Sequence, residues 1–265
     1  MEKYEVIIVG AGPSGSTTAY LLSKFGFKVL LIDKSKFPRQ KLCGGLLTFK
    51  TYQLVKRIFS LSSSEFNKLI NFSSKTFRLY YKDKLILKGV SEKPFYFVER
   101  DKYDLFFLEK AKQQGAKVVD GERVVNFKPS SNEIITSSQK RYKAKFIISA
   151  DGVNSVIRKN LPIFDGQKWK KDLGIAMEVF VNNLDIKEPR IYLGVVDIGY
   201  GWVFPNRNKA IVGLGGLMKN ERENFVEKFR SFVSKFGLKS SCEIKGHLVP
   251  YGNFIEKPVS AILFL

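Results

Sequence analysis

Two cysteines, Cys43 and Cys242, and one histidine, His247, are all that this 265-residue chain has of the side chains that most often bind transition metals or form disulfides. So small a set excludes a disulfide framework and a Cys/His metal cluster. His247 has no serine and acid constellation of a hydrolase around it, and it reads as a hydrogen-bonded structural residue in a strand. No apolar run is long enough to span a bilayer, and the chain opens directly on a strand-like stretch rather than on a secretory leader. The expectation is a cytoplasmic, reducing location. Acid is scarce too: 25 Asp and Glu stand against 45 Lys and Arg, a formal net charge of +20. That excess suits an acidic partner or the anionic inner face of a cell membrane, contacted from one side. The basic residues are scattered and no nucleic-acid motif accompanies them, so nucleic acid is not an expected partner.

What the chain does have is concentrated at its start. Val6-Ile7-Ile8-Val9 is a short β-branched run of the kind that forms a fully buried parallel strand. Gly10-Ala11-Gly12-Pro13-Ser14-Gly15 follows, then a small-residue helix to Gly26, then the strand Val29-Leu30-Leu31-Ile32-Asp33. Gly10 permits the tight turn, Gly12 lets a pyrophosphate approach the backbone, and Gly15 lets the helix lie close to the sheet. The helix N-terminus, opened by Pro13 and Ser14, offers amide groups and partial positive charge to phosphates. Asp33 stands where a carboxylate accepts hydrogen bonds from an adenosine ribose. Strand, turn, helix, strand and acid in that order predict dinucleotide binding, without distinguishing FAD from NAD.

The loop after Asp33 carries Arg39, Lys41 and Cys43-Gly44-Gly45. A loop leaving the C-terminal end of such a strand lies over the ligand crevice, which puts Cys43 near a cofactor. Cations and glycine amides around it favour a thiolate or an anion. A helix is predicted from Thr48 through Val55, then a polar helix-and-loop passage from Ser60 to Ser74. From Phe77 to Lys88 the pattern becomes a hairpin turned at Lys82-Asp83-Lys84. An amphipathic helix is predicted over Asp101 to Gln114, and strands at Lys117–Val119, Glu122–Phe127 and Phe146–Ala150. Asp172 to Val181 opens a second antiparallel section, with strands near Arg190–Leu193, Gly201–Phe204 and Ala210–Leu214. Glu221 to Phe236 reads as one helix with Phe225, Val226, Phe229, Phe232 and Val233 on its apolar face.

Four stretches together resemble a known family. Ala150-Asp151-Gly152-Val153-Asn154-Ser155 resembles the Asp-Gly motif of flavoprotein hydroxylases of the p-hydroxybenzoate hydroxylase type, and Glu99-Arg100-Asp101 resembles the start of their FAD-contacting helix. Phe37-Pro38-Arg39-Gln40-Lys41-Leu42-Cys43-Gly44-Gly45 resembles the cysteine–glycine loop of geranylgeranyl reductases. Tyr200-Gly201-Trp202-Val203-Phe204-Pro205, with Gly213-Leu214-Gly215, resembles that family's Tyr-x-Trp-x-Phe-Pro…Gly-x-Gly signature. The resemblance implies an α/β fold: a Rossmann-like FAD-binding domain with an inserted antiparallel-sheet α+β substrate domain. The expected boundaries are 1–72 and 99–165 for the first, with 257–265 as its last strand, and 73–98 and 166–256 for the second.

It implies FAD as cofactor, with Gly10, Gly12, Pro13, Ser14, Gly15, Asp33, Arg39, Cys43, Gly44, Gly45, Arg100, Val124, Asp151 and Gly152 around it. Tyr200, Trp202, Phe204, Pro205, Gly213 and Gly215 would face the substrate. That substrate is a prenyl lipid, whose isoprenoid double bonds are reduced by hydride from flavin plus a proton. An apolar tunnel suits such a molecule, and Tyr200, Trp202 and Phe204 alternate onto one sheet face that either lines it or is an ordinary core face. Cys43 is the candidate catalytic group, with a bound water as its competitor. The electron donor is NAD(P)H or a ferredoxin. A third family motif of the type Gly-Asp-Ala-Ala-Gly is absent, so the chain is expected to be truncated relative to the family. Two other readings stay open: an aromatic hydroxylase or halogenase of the same fold, and a non-catalytic fragment.

Overall fold

The computed structural model describes residues 2–162, 164–182, 184–207, 209–221, 224–237, 244–251 and 262–264. The chain divides into two units: Met1–Gln40, Asp101–Lys168 and Phe254–Leu265 form one, Lys41–Arg100 and Trp169–Asn253 the other.

The first unit is built on a seven-stranded sheet. Strand Glu2–Val9 lies at its centre, parallel to Val29–Asp33 on one side and to Arg141–Ser149 on the other. Lys117–Asp120 adds a further parallel strand beyond Val29–Asp33. Glu133–Thr136 pairs antiparallel with the start of Arg141–Ser149, and Val124–Lys128 pairs with Glu133–Thr136 in turn. Ile262–Phe264 runs parallel along the end of Arg141–Ser149. Ile7, Ile8, Leu30, Leu31 and Ile32 are all fully buried, as continuous apolar runs in a two-sided parallel sheet require. Helix Pro13–Lys24 carries proline in its first turn and gives way to Gly26, whose φ of +86° ends it.

The second unit is an eight-stranded sheet in the order Lys245–Pro250, Leu173–Asn182, Lys209–Leu217, Gly199–Asn206, Arg190–Leu193, Ile70–Tyr81, Lys84–Val98, Leu46–Leu47. Every neighbouring pair is antiparallel except Arg190–Leu193 against Ile70–Tyr81. The hairpin turns where expected: Lys82 and Asp83 both have positive φ, 44° and 69°, matching the twist of the flanking strands. Odd-numbered residues of Leu173–Asn182, Val179 and Val181, join Val203, Val212 and Leu214 under helix Phe225–Ser234. The other face of the same strands carries Ala176, Trp202 and Phe204, packed with Phe97, Leu42 and Leu46.

Three expectations need correction. Residues 41–72, expected with the nucleotide-binding unit, pack in the second unit. The strand expected from Phe77 begins at Ile70: register shifts at Ile70/Phe72 and Ser74/Thr76 break the alternation that would have marked it. The helix expected over Glu221 to Phe236 is two, Met218–Glu221 and Phe225–Ser234. Val226 lies off the buried stripe at 42% exposure, because it sits about 100° around the helix from Phe225. Phe225, Phe229, Phe232 and Val233 keep the spacing that faces the sheet. Cys242 and most of 257–265 lie outside the described residues.

Helix phase makes a direct prediction. Phe229→Ala removes a fully buried ring and is expected to cost about 3–5 kcal/mol in denaturant unfolding. Val226→Ala is expected to stay within about 0.5 kcal/mol. Equal losses would reject this packing.

Candidate functional site

In the first unit the glycines of the opening turn answer to crowding. A Cβ on Gly10 would overlap the Ala150 carbonyl, and one on Gly15 would overlap the Gly10 carbonyl. The turn, the helix and the end of strand Arg141–Ser149 are therefore in main-chain contact. Gly12 is different: the nearest atom to its absent Cβ is Arg39 Nη2 at 3.7 Å. Helix Pro13–Lys24 begins there with no side chain capping it, so the N–H groups of Ser14 and Gly15 stand at its open end. Open space, amides and a guanidinium in one place fit a pyrophosphate.

Arg39 is held for that position. Its Nη2 lies 3.2 Å from Oδ2 of Asp104, which is fully buried on helix Arg100–Gln113. Its guanidinium also lies 4.9 Å from the centre of the Phe37 ring, and the Phe37 N–H donates to Asp120 Oδ2 at 3.0 Å. Asp33 accepts the Ala11 N–H on Oδ2 at 2.7 Å and the Ser35 N–H on Oδ1 at 2.8 Å, so its carboxylate is aimed at the turn. Asp151 accepts from the Ser149 hydroxyl and the Val156 N–H, which ties the Gly152 turn (φ +76°) to the helix after it. Val124, expected at the cofactor, has its side chain in the buried cluster of Phe127, Ile134 and Ile147.

In the second unit two signatures far apart in sequence come together. Gly44 lies against the aromatic strand: a Cβ there would come within 2.6 Å of Phe204 Cδ2 and 3.3 Å of Trp202 Nε1. Gly45, at φ +71°, accepts the Val98 N–H at 2.9 Å, and a side chain on it would overlap the Val98 carbonyl. Trp202 in turn lies across Gly213, its register partner, where a Cβ would overlap the indole. Gly215 is the next place along, where a Cβ would come within 3.3 Å of Trp202 Cζ3. The glycines of both signatures thus make room for two rings. Trp202, Phe204 and Pro205 are buried, whereas Tyr200 is 47% exposed, so the expected tunnel wall is a packed face with one open end.

Sequence reasoning missed the acid on this face. Glu178, opposite Gly213 on the neighbouring strand, is 5% exposed. The Cys43 N–H donates to its carboxyl group, and Lys41 and Arg100 favour its charge. Burial outweighs all of them and raises its pKa from 4.5 to about 7. The Cys43 amide is therefore committed to a carboxylate of the protein rather than free for a thiolate or an outside anion. Cys43 itself is half-buried with a free thiol. The signal that could have found Glu178 is a lone acid in the apolar run Leu173 to Val181. Among the described residues no group of His, Cys, Asp and Glu could hold a metal ion.

The profile of the FAD binding domain family matches residues 3–221. The chain belongs to that family, and FAD is its cofactor. It is 30% identical to an uncharacterized protein of Methanosarcina barkeri, over 95% of this chain and 64% of that protein. It is 31% identical to a digeranylgeranylglycerophospholipid reductase of Methanococcus vannielii, over 88% of this chain and 60% of the reductase. The solved structure of a geranylgeranyl bacteriochlorophyll reductase-like protein of Thermoplasma acidophilum has the same fold, with a TM-score of 0.84 at 22% identity over 100% of this chain and 71% of that one. Within the FAD-binding proteins its fold is of the p-hydroxybenzoate hydroxylase type. The chain spans about six-tenths of the length of the curated relatives it matches.

Arg39→Ala strands the buried Asp104 without its guanidinium and empties the space beside Gly12. The expected loss is roughly 3 kcal/mol of folding stability, read by denaturant unfolding, with a weaker FAD complex by flavin fluorescence titration. Unchanged FAD affinity would remove Arg39 from the phosphate site.

Proposed function

We propose that this chain is the FAD-holding and substrate-facing part of a flavoenzyme that reduces isoprenoid double bonds of prenyl lipids. The observation that carries this is the seating of Gly44 on Trp202 and Phe204, which joins the Cys43-Gly44-Gly45 loop to the aromatic and Gly-x-Gly signature. Similarity to reductases named for such a lipid supports it. Gly12, Ser14, Gly15 and Arg39 hold the pyrophosphate, and Asp33 takes the ribose. FAD, when bound and reduced, supplies hydride. An isolated alkene is not polarised, so hydride delivery needs a proton at the other carbon. On the packed face, Trp202 and Phe204 orient an apolar chain and exclude water, and Tyr200 marks its open end. Cys43 is the candidate group at the reacting carbons. NAD(P)H and a ferredoxin are the two candidate electron donors.

The same reading places the protein at the cytoplasmic face of an anionic membrane. The hairpin around Lys82-Asp83 exposes Tyr81, Leu85, Ile86, Leu87 and Val90, and Lys82, Lys84 and Lys88 are exposed among them. Apolar side chains interleaved with cations match the boundary between acyl chains and anionic headgroups. No helix among the described residues is long and apolar enough to cross a membrane.

The test of the activity is anaerobic. The FAD-loaded protein is reduced chemically, mixed with a geranylgeranyl lipid, and followed by flavin absorbance and product mass. Reoxidation with a gain of two hydrogens per bond is the expected result. Reoxidation only on admitting oxygen, with an aromatic substrate hydroxylated, would replace this reading with monooxygenation. For the membrane, co-sedimentation with anionic vesicles is expected at low salt and should weaken as salt rises. Replacing Lys84 and Lys88 with alanine is expected to lower vesicle affinity roughly thirtyfold, at about 1 kcal/mol for each lysine. Binding indifferent to salt and to anionic lipid would reject the contact.

A further inference from the structure

A carboxyl group on a face of rings and glycines is out of place unless something uses it. Glu178 sits in the middle of strand Leu173–Asn182 with Gly213 opposite on one side and Lys245 opposite on the other. Its neighbours on that face are Ala176 and, across Gly213, Trp202. The titratable and charged groups facing it come from three elements: Lys41 and Cys43 from the loop, Arg100 from the helix start, and Lys245 and His247 from strand Lys245–Pro250. The Cys43 N–H is a hydrogen-bond donor to it. The Trp202 indole lies close enough to favour the ionised form, yet its buried Nε1 reaches no acceptor at hydrogen-bonding geometry. The indole N–H is thus a donor beside the carboxyl, available once charge develops there.

We propose that Glu178 is the proton-holding residue of this face, fixed in register with the Cys43 turn by the Cys43 main-chain N–H, and that it supplies the proton for alkene saturation. The inference rests on the prenyl-lipid reading above. Saturating one double bond adds a hydride and a proton. The hydride pair comes from two-electron-reduced flavin; the Glu178 O–H bond breaks as one C–H bond forms, and the carboxylate left behind takes a proton back from water. A buried carboxyl is protonated for this task near neutral pH, where proton donation is most effective. Developing negative charge on Glu178 is then met by the Cys43 N–H, the Trp202 N–H, Lys41 and Arg100, all already in place.

Two readouts separate this proposal from the reading beneath it. The chain has two tryptophans, so Trp169→Phe leaves Trp202 as the single indole, a fluorescent reporter beside the carboxyl. Titration is expected to show a transition with its midpoint near 7, absent in the Glu178→Gln chain. The folded pKa lies above the ordinary value of 4.5, so the neutral carboxyl favours the fold. Its contribution is present below about pH 4.5 and lost as pH rises through about 7, and the wild type is expected to lose stability relative to Glu178→Gln across that window. No transition from about pH 5 to 9, or the same transition in Glu178→Gln, overturns the proposal. In single-turnover oxidation by a geranylgeranyl lipid, Glu178→Gln is expected to slow the step by about 100-fold or more, with the flavin spectrum unchanged. Wild-type turnover in Glu178→Gln rejects the proton assignment and leaves prenyl-lipid reduction standing. A wild type that titrates as expected but whose reduced flavin is never reoxidised by the lipid overturns prenyl-lipid reduction, and the step assigned to Glu178 with it.

Discussion

The indole of Trp202 must lie flat on bare backbone, and much of the second unit is arranged to let it. Gly213 supplies the bare backbone directly opposite, and Gly215 continues it. Once the ring is down, its edge and Phe204 define the floor on which Gly44 rests, leaving no room there for a side chain. Gly45 then turns the chain in a left-handed conformation against Val98. The position of Cys43 is thus decided by a tryptophan and two glycines on other strands. A packed aromatic floor is also stiff, since rings interlocked with main chain have few alternative rotamers to visit. Stiffness of that kind is what a site needs when it must hold an unpolarised hydrocarbon in one orientation.

The first unit depends on a related constraint met by a different device. There the backbone of the opening turn meets the backbone at Ala150, and glycine at Gly10 and Gly15 is what permits the contact. The close approach brings the helix N-terminus, Asp33 and the Asp151-Gly152 turn to one end of the sheet, where ligands of open α/β sheets bind. Arg39 adds charge, and the buried carboxylate of Asp104 holds it. A cation anchored to a buried acid presents its remaining N–H groups in a fixed direction, so little side-chain entropy is lost when an anion arrives.

How much of this the sequence made legible follows from how local each feature is. The opening strand–turn–helix–strand is written in consecutive residues, and it folds as its spacing predicts. The Lys82-Asp83 turn is legible for the same reason, because both positive-φ residues lie between two apolar runs. The strand from Ile70 to Ser74 is not: Asn71, Ser73 and Ser74 sit in an irregular register that hides its period. Residues 41–72 were misassigned because no composition break marks where the chain changes units. Resemblance named the two signatures, but only three dimensions show that Gly213 and Gly215 make room for the Trp202 ring. Glu178 was overlooked because alternation in Leu173 to Val181 is apolar on both faces, and a single acid there looks like noise until its neighbours across the sheet are known.

The central strand of the first unit draws one neighbour from the adjoining sequence and the other from a distant part of the chain. Glu2–Val9 pairs with Val29–Asp33 and with Arg141–Ser149, and much of what intervenes belongs to the other unit. On a ribosome the first strand therefore emerges long before one of its two partners exists. Until Arg141–Ser149 follows, one edge of a strongly apolar strand is open to any other extended chain, a state that favours chaperone capture over spontaneous pairing. The second unit, by contrast, can close its long hairpin at once from residues adjacent in sequence. Order of synthesis, as well as final geometry, thus separates the two halves of this protein: one is nucleated locally, and the other waits for a long loop to close.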